Sequence, residues 1–424
     1  MYAENAERPN FLLITIDTLR RDRFGCYGST APSTPNLDAM AAKGVVFDYY
    51  FAPANCTVPS HLSMFSSKLP TTLNILDNEK YDVASRTKIL PIYLQQLGYK
   101  TYGVASAFFF RQNWLAGFGS LFDSYVAPAD GEFKAEQVTA TFRKILPELK
   151  KGKFFCWLHF YDPHTPYDPP ERYKKYYDVD GHGGIEVPGI EETINTAWMK
   201  SFGLNRTWQG RSRYRGEVAY VDEQIGEILR LLIANSLEKN TIIFIVADHG
   251  ELLGDHGFYY THHTLYEETI HVPFIVYGKA FRATHVSEFV SGVDVAPTIL
   301  ELAGAKIPED LEGISAVPFL QGKNPSRDRL IYSVSANSDS IAILKPPFKM
   351  IFNKPTSELT EAFELYHITR DRHERHNRIN SDPDVAASIR RRANPYLFDK
   401  RPATNWDPMS EQETEQLKAL GYLQ

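Results

Sequence analysis

The stretch Thr241-Ile242-Ile243-Phe244-Ile245-Val246-Ala247-Asp248-His249-Gly250-Glu251 decides the fold class of this chain. A strand with one wet face alternates apolar and polar residues, whereas a strand covered on both faces reads as an unbroken apolar run. Residues 241–247 are such a run, and the change at Asp248 marks its carboxyl end. The same grammar recurs in Phe11-Leu12-Leu13-Ile14-Thr15-Ile16 before Asp17, and in Phe154-Phe155-Cys156-Trp157-Leu158-His159-Phe160 before Asp162. Phe274-Ile275-Val276-Tyr277 ends at Gly278.

Helical stripes separate these runs. Leu90, Leu94 and Leu97 precede Gly98, a residue suited to a helix C-terminus. Val138, Phe142, Ile145 and Leu149 form a second stripe, and Val218, Val221, Ile225, Ile228, Leu229 and Leu232 a third. Strands alternating with helices predict a mostly parallel sheet covered on both sides. Beyond about residue 325 the pattern shifts to short segments, Leu330–Val334 and Ile341–Leu344, broken by Pro346-Pro347. The expected organisation is a catalytic domain over residues 1–325 and a small antiparallel C-terminal subdomain over 326–424. Residues 178–213 are polar and Gly-containing and read as a long loop; Ser410–Gln424 reads as a terminal helix.

Composition narrows the function classes. The chain has 424 residues, 43% of them apolar, and a formal charge of −6, so no basic excess points to nucleic acid. No apolar stretch is long enough to span a bilayer. Three cysteines, Cys26, Cys56 and Cys156, fit a reducing compartment better than a disulfide framework, and a cytoplasmic location is expected.

In parallel sheets, sites form beyond the carboxyl ends of the strands, where Asp17 and Asp248 both fall. Either aspartate alone reads as a turn or cap residue; the two together point to a shared site. Asp248-His249 offers two metal donors in succession, and Gly250 permits a sharp turn after them. Thr57 stands just before Pro59, a residue suited to a first helical turn. It is either an ordinary N-terminal cap or a hydroxyl activated by a bound metal. Three oxygen donors and one imidazole favour Mn²⁺ or Zn²⁺, with Ca²⁺ less suited.

Motifs in order along the chain resemble the sulfatases and their phosphoesterase relatives of the alkaline phosphatase superfamily. They are Ile16-Asp17-Thr18-Leu19-Arg20, Thr34-Pro35-Asn36-Leu37-Asp38, Thr57-Val58-Pro59-Ser60-His61, Asp162-Pro163-His164, Ala247-Asp248-His249-Gly250-Glu251, His263-Thr264-Leu265-Tyr266-Glu267-Glu268 and Glu364-Leu365-Tyr366. The resemblance implies a three-layer α/β/α sandwich with a small C-terminal antiparallel sheet. It implies one metal held by Asp17, Thr57, Asp248 and His249, with Thr57 as nucleophile. His164 and His263 become the residues that protonate the leaving group and bind the anion, with His262 and His256 ranked behind them.

Three departures stand out. Sulfatases carry a Cys or Ser that is oxidised to formylglycine; here Thr57 occupies that place, Cys56 lies one position early and His61 replaces an Arg. Thr18 replaces a second aspartate. No Gly-Lys-Trp-His-like segment is present; the corresponding stretch is Gly98-Tyr99-Lys100-Thr101-Tyr102-Gly103. A sulfated threonine lacks the hemiacetal exit that formylglycine provides. The expected activity is therefore cleavage of a phosphodiester or phosphonate monoester. A sulfuric ester hydrolase is the alternative, and a non-catalytic binding protein the alternative of another class. The expected partner is a small-molecule or glycan-linked anionic ester, and oligomeric state is unread.

Overall fold

The computed structural model describes residues 8–30, 33–176, 207–323, 325, 328–336, 339–354 and 362–393. In chain order the elements that build the main layer are β1 (Asn10–Ile16), β2 (Val45–Phe51), α1 (Thr57–Ser66), β3 (Lys100–Val104), β4 (Ser124–Val126), α2 (Ala135–Leu149), β5 (Phe154–Phe160), α3 (Thr207–Ala234), β6 (Thr241–Ala247), β7 (Phe274–Tyr277), β8 (Thr284–Ser291) and α4 (Val295–Leu302). The eight strands form one sheet in the order β8-β2-β7-β6-β1-β5-β3-β4. Strand β1 lies at its centre, parallel to β5 on one side and to β6 on the other. Every residue of β1, β5 and β6 is buried, as their unbroken apolar runs require.

The parallel rule breaks at β7, which runs antiparallel to both β6 and β2. An apolar run reports burial on two faces and carries no sign for direction. The expectation of a loop through residue 213 is corrected in part: α3 begins at Thr207. Its first turns lack an apolar stripe, yet Ser212, Tyr214 and Arg215 are buried there. Tertiary contact fixes that part of the helix, since the Tyr214 hydroxyl donates to Thr18 O at 2.8 Å and accepts from Arg20 N at 2.9 Å. Residues 178–206 and the Ser410–Gln424 helix lie outside the described residues.

A second, antiparallel sheet follows: β9 (Ile331–Val334), β10 (Ser340–Lys345), β11 (Phe348–Asn353) and β12 (Phe363–His367), paired in that order. Ile331, Leu344, Ile351 and Tyr366 share an apolar cluster with Phe51, Leu265, Ile270 and Phe289 of the main layer. A buried ion network reinforces this seam. Lys349 Nζ lies 2.7 Å from Glu374 Oε1 and 3.3 Å from Glu267 Oε1, and donates to Leu265 O at 2.9 Å. Glu267 also pairs with His271 at 2.6 Å. The C-terminal sheet thereby grips the segment that follows His262 and His263.

Candidate active site

Three strand ends and one helix start converge. The backbone N–H of Asp17 donates to Phe160 O at 2.9 Å, tying the end of β1 to the end of β5. The next residue, Thr18, sits at φ +50°, a left-handed conformation that a β-branched side chain adopts only when its surroundings impose it. That turn lets the Thr18 amide hydrogen-bond the Asp248 carboxylate. Gly250 is needed for close approach, because a Cβ there would meet Glu268 O at 2.0 Å.

Asp17, Thr57, Asp248 and His249 are all fully buried. Asp248 Oδ1 accepts from His249 N at 2.8 Å. Asp17 Oδ1 and Asp248 Oδ2 have no hydrogen-bond donor among the described residues. His249 Nδ1 lies 3.1 Å from Gly250 O and donates to it, which leaves the Nε2 lone pair exposed to the carboxylates. Nε2 stands 3.7 Å from Asp17 Oδ1, 3.6 Å from Asp248 Oδ2 and 3.4 Å from Thr57 Oγ1. One donor atom from each of Asp17, Asp248 and His249 lies within 4.8 Å of the others.

Burial, and then the charge of Asp248, pushes the Asp17 carboxyl well above the usual range; burial does the same to Asp248. Burial also drives His249 well below the ordinary imidazole value, so its ring is neutral. Two dry carboxylates with orphaned oxygens and an aimed imidazole lone pair are a donor set that fits a divalent cation. Loading the ion would displace the proton that the carboxylate pair otherwise retains.

Thr57 opens α1, as the sequence predicts. Its hydroxyl lies 3.2 Å from Asp17 Oδ2. The helix is pinned from three sides. Val58 N donates to Asn78 Oδ1 at 2.8 Å, Ser60 Oγ donates to Asp248 O at 2.7 Å, and His61 Nδ1 donates to Thr57 O at 2.8 Å. His61 Nε2 meets the Thr15 hydroxyl at 2.9 Å, and that oxygen accepts from Trp157 Nε1, also at 2.9 Å. Burial holds the His61 ring down to about 3, so it stands neutral in the chain Trp157–Thr15–His61–Thr57.

The remaining histidines surround this set. His164 donates through Nδ1 to Thr165 O at 2.7 Å and stacks on Tyr161 with ring centroids 4.4 Å apart. Burial lowers it to about 4. His262, ranked behind His263 from sequence, is the ring nearer the metal set. Its centroid is 4.5 Å from that of His249 and 5.7 Å from that of His164. His263 is half-buried and packs edge-on against His262 at 5.6 Å. His256 lies apart, stacked on Tyr266 with its Nε2 3.4 Å from Glu268.

Sequence reasoning left three buried groups unassigned. Glu251 accepts from the Tyr167 hydroxyl at 3.0 Å, stands 3.6 Å from His262 Nδ1, and is pushed by burial up to about 7. His159 accepts from Ser106 N through Nδ1 at 3.3 Å, so its Nε2 carries the proton and lies 3.7 Å from Asp17 Oδ2. His61 is the third. A signal existed for His159, the one imidazole inside an otherwise apolar strand.

The family model described as Sulfatase matches residues 9–305, and one described as N-sulphoglucosamine sulphohydrolase, C-terminal, matches residues 254–394. An N-acetylglucosamine-6-O-sulfatase of Bacteroides thetaiotaomicron is 27% identical, over 76% of this chain and 73% of that protein. Human iduronate 2-sulfatase is 25% identical, over 74% of this chain and 68% of its own length. A solved structure bound to its substrate D-glucosamine-2-N,6-O-disulfate superposes with a TM-score of 0.75 at 20% identity, over 98% of both chains. A phosphonate monoester hydrolase of Silicibacter pomeroyi superposes with a TM-score of 0.71 at 20% identity, over 90% of this chain and 93% of that one. At such identities the structural matches establish the shared fold.

Proposed function

Because the chain belongs to the sulfatase family, we propose that it is a metal-dependent hydrolase of organic sulfate esters, with a sulfated carbohydrate as the substrate class. The observation that carries the reading is the position of Thr57 Oγ1, 3.2 Å from Asp17 Oδ2 and 3.4 Å from His249 Nε2, at the start of a buried helix. The sulfatase relatives favour a sulfate ester over the phosphate-type ester expected from the threonine.

Asp17, Asp248 and His249 would hold one divalent ion, with the Thr57 hydroxyl as a fourth donor. The oxygen-rich set with one imidazole suits Mn²⁺ or Zn²⁺ ahead of Ca²⁺. When bound, the ion supplies charge for the anionic ester and lowers the pKa of a neighbouring hydroxyl. The protein's own residues supply the rest. Asp17 Oδ2 accepts the Thr57 hydroxyl proton, turning an oxygen lone pair toward incoming substrate. The dipole of α1, whose first residue is Thr57, favours an anion beside it. Thr57 Oγ1 passes its proton to Asp17 and bonds to the sulfur as the bond to the organic oxygen breaks; His164 or His262, protonated when the anionic ester binds beside it, gives that proton to the departing alcohol. Water then displaces the anion from Thr57 and restores the hydroxyl. Burial of every participant excludes bulk water from the first step.

The threonine favours a second reading. It cannot become formylglycine, and an esterified threonine is a natural intermediate for phosphoryl transfer. Turnover of aryl sulfates, phosphodiesters and phosphonates by the metal-loaded protein separates the two. Sulfate turnover that is lost in Thr57→Ala supports the proposal; turnover of phosphate-type esters alone overturns it. Full metal occupancy with no turnover of any ester favours a binding protein.

A further inference from the structure

Between the main sheet and the segment after β12 lies a cavity of about 470 Å³. None of Asp17, Thr57, Asp248 and His249 lines it. Its walls come from the segment after β1, from β2, from the turn Glu267–Ile270 with His271, and from the segment after β12.

Its charges are unevenly satisfied. Each of its four carboxylates already has a basic partner: Asp22 with Arg20 at 2.7 Å, Asp48 with His285 at 2.8 Å, Glu267 with His271 at 2.6 Å, and Glu268 with His256 at 3.4 Å. Arg20 is likewise consumed, by Asp22, Asp255 and Glu251 O. Arg21 and Arg372 remain. Neither makes an ion pair among the described residues, and Arg21 Nε is buried without an acceptor. The Arg21 guanidinium lies 4.5 Å above the Tyr27 ring, which orients its plane. Its charge reaches across the cavity: after burial, it is the next cause that disfavours a charged His271.

We propose that this cavity binds a small organic anion bearing a sulfate, phosphate or carboxylate group, separately from the metal site. Two guanidinium forks without acceptors match the paired oxygens of such groups. Tyr49 and Ile368 provide an apolar wall for the organic part, and the volume lies within the usual range for small-ligand pockets. The cavity touches both segments that carry active-site residues. Arg20 and Arg21 follow Asp17 in the same loop, and Glu267 and Glu268 follow His263. An anion bridging Arg21 to Arg372 therefore ties the loop after β1 to the segment after β12 and modulates turnover.

The test is calorimetry on the metal-loaded full chain, with inorganic sulfate and inorganic phosphate as probes. The unmodified protein is expected to show two binding events, and the Arg21→Gln/Arg372→Gln variant one. Arg372 is exposed, so Arg372→Gln alone keeps the fold and is expected to weaken the second event at least about tenfold, the loss of one charge-assisted contact. Inhibition of turnover by the same anions is expected to include a noncompetitive component that the double variant lacks. A single event of equal affinity in all three proteins, or purely competitive inhibition, overturns the proposal. Such a result leaves the ester-hydrolase reading untouched, because turnover is measured independently.

Discussion

Replacing Lys349 with Met tests whether the ion network at the seam between the sheets holds the molecule together. The ammonium is fully buried, 2.7 Å from Glu374 and 3.3 Å from Glu267. Met fills about the same volume and removes the charge together with the hydrogen bond to Leu265 O. Glu267 keeps His271 at 2.6 Å, and Glu374 Oε2 keeps the Glu267 amide at 2.8 Å, but Glu374 Oε1 is left without a donor. Removing one partner of a buried pair costs about 3–5 kcal/mol. Burial already presses the Glu374 carboxyl upward against the pull of Lys349, so in the variant it takes up a proton, which limits the loss to about 3 kcal/mol, the lower end of that range. The unfolding entropy of a chain of 424 residues is about 0.9 kcal/mol per kelvin, so Tm should fall by about 3 °C. Differential scanning calorimetry of the metal-loaded protein reads this directly. Glu374→Gln added to Lys349→Met should restore part of the loss, because the amide is neutral without the proton uptake that the Glu374 carboxyl needs at neutral pH. A Lys349→Met protein that melts within about 1 °C of the parent, or a double variant less stable than the single, would show that the network contributes nothing net.

Three other outcomes follow from the geometry. Chelation should lower Tm, and Asp248→Asn should abolish tight metal binding by elemental analysis while leaving the fold intact; unchanged metal content would exclude Asp248 as a ligand. His61→Asn removes an inner link of the Trp157–Thr15–His61–Thr57 chain and should lower kcat about tenfold, the worth of one hydrogen bond at the nucleophile, with little change in KM; an equal rise in KM with kcat intact would mean His61 does not position Thr57. Burial raises the Asp255 carboxyl but Arg20 outweighs it, leaving it below the usual range, so this pair stabilises the fold above the unfolded carboxylate value of about 4 and loses its contribution as pH falls further. The Tm difference between the parent and Asp255→Asn should accordingly shrink below pH about 4, and a difference that grows there would refute the assignment.

The sheet was legible because its central strands are buried on both faces and say so in composition. Asp17 and Asp248 were legible by their position at strand ends, and Thr57 by Pro59 two residues on. Other features depend on contacts that no local pattern encodes. The reversed direction of β7 is set by its neighbours, and the early turns of α3 by Tyr214 docking on Thr18 and Arg20. Adjacent His262 and His263 cannot be ranked by periodicity, and it is the His262 ring that packs 4.5 Å from that of His249. The expectation of a phosphate-type ester came from one residue, and the ensemble of relatives weighs against it.

Asp17 has an unequal pair of oxygens. Oδ2 faces two protons, those of the Thr57 hydroxyl and of His159 Nε2, at 3.2 and 3.7 Å. Oδ1 faces none. His159 and His249 present opposite ring edges to the same carboxylate, one a proton and the other a lone pair. One side of Asp17 is thus open to a positive ion, while the other already faces two hydrogen atoms. Replacing His159 with a residue that accepts rather than donates would give both sides of the carboxylate the same electrostatic outlook.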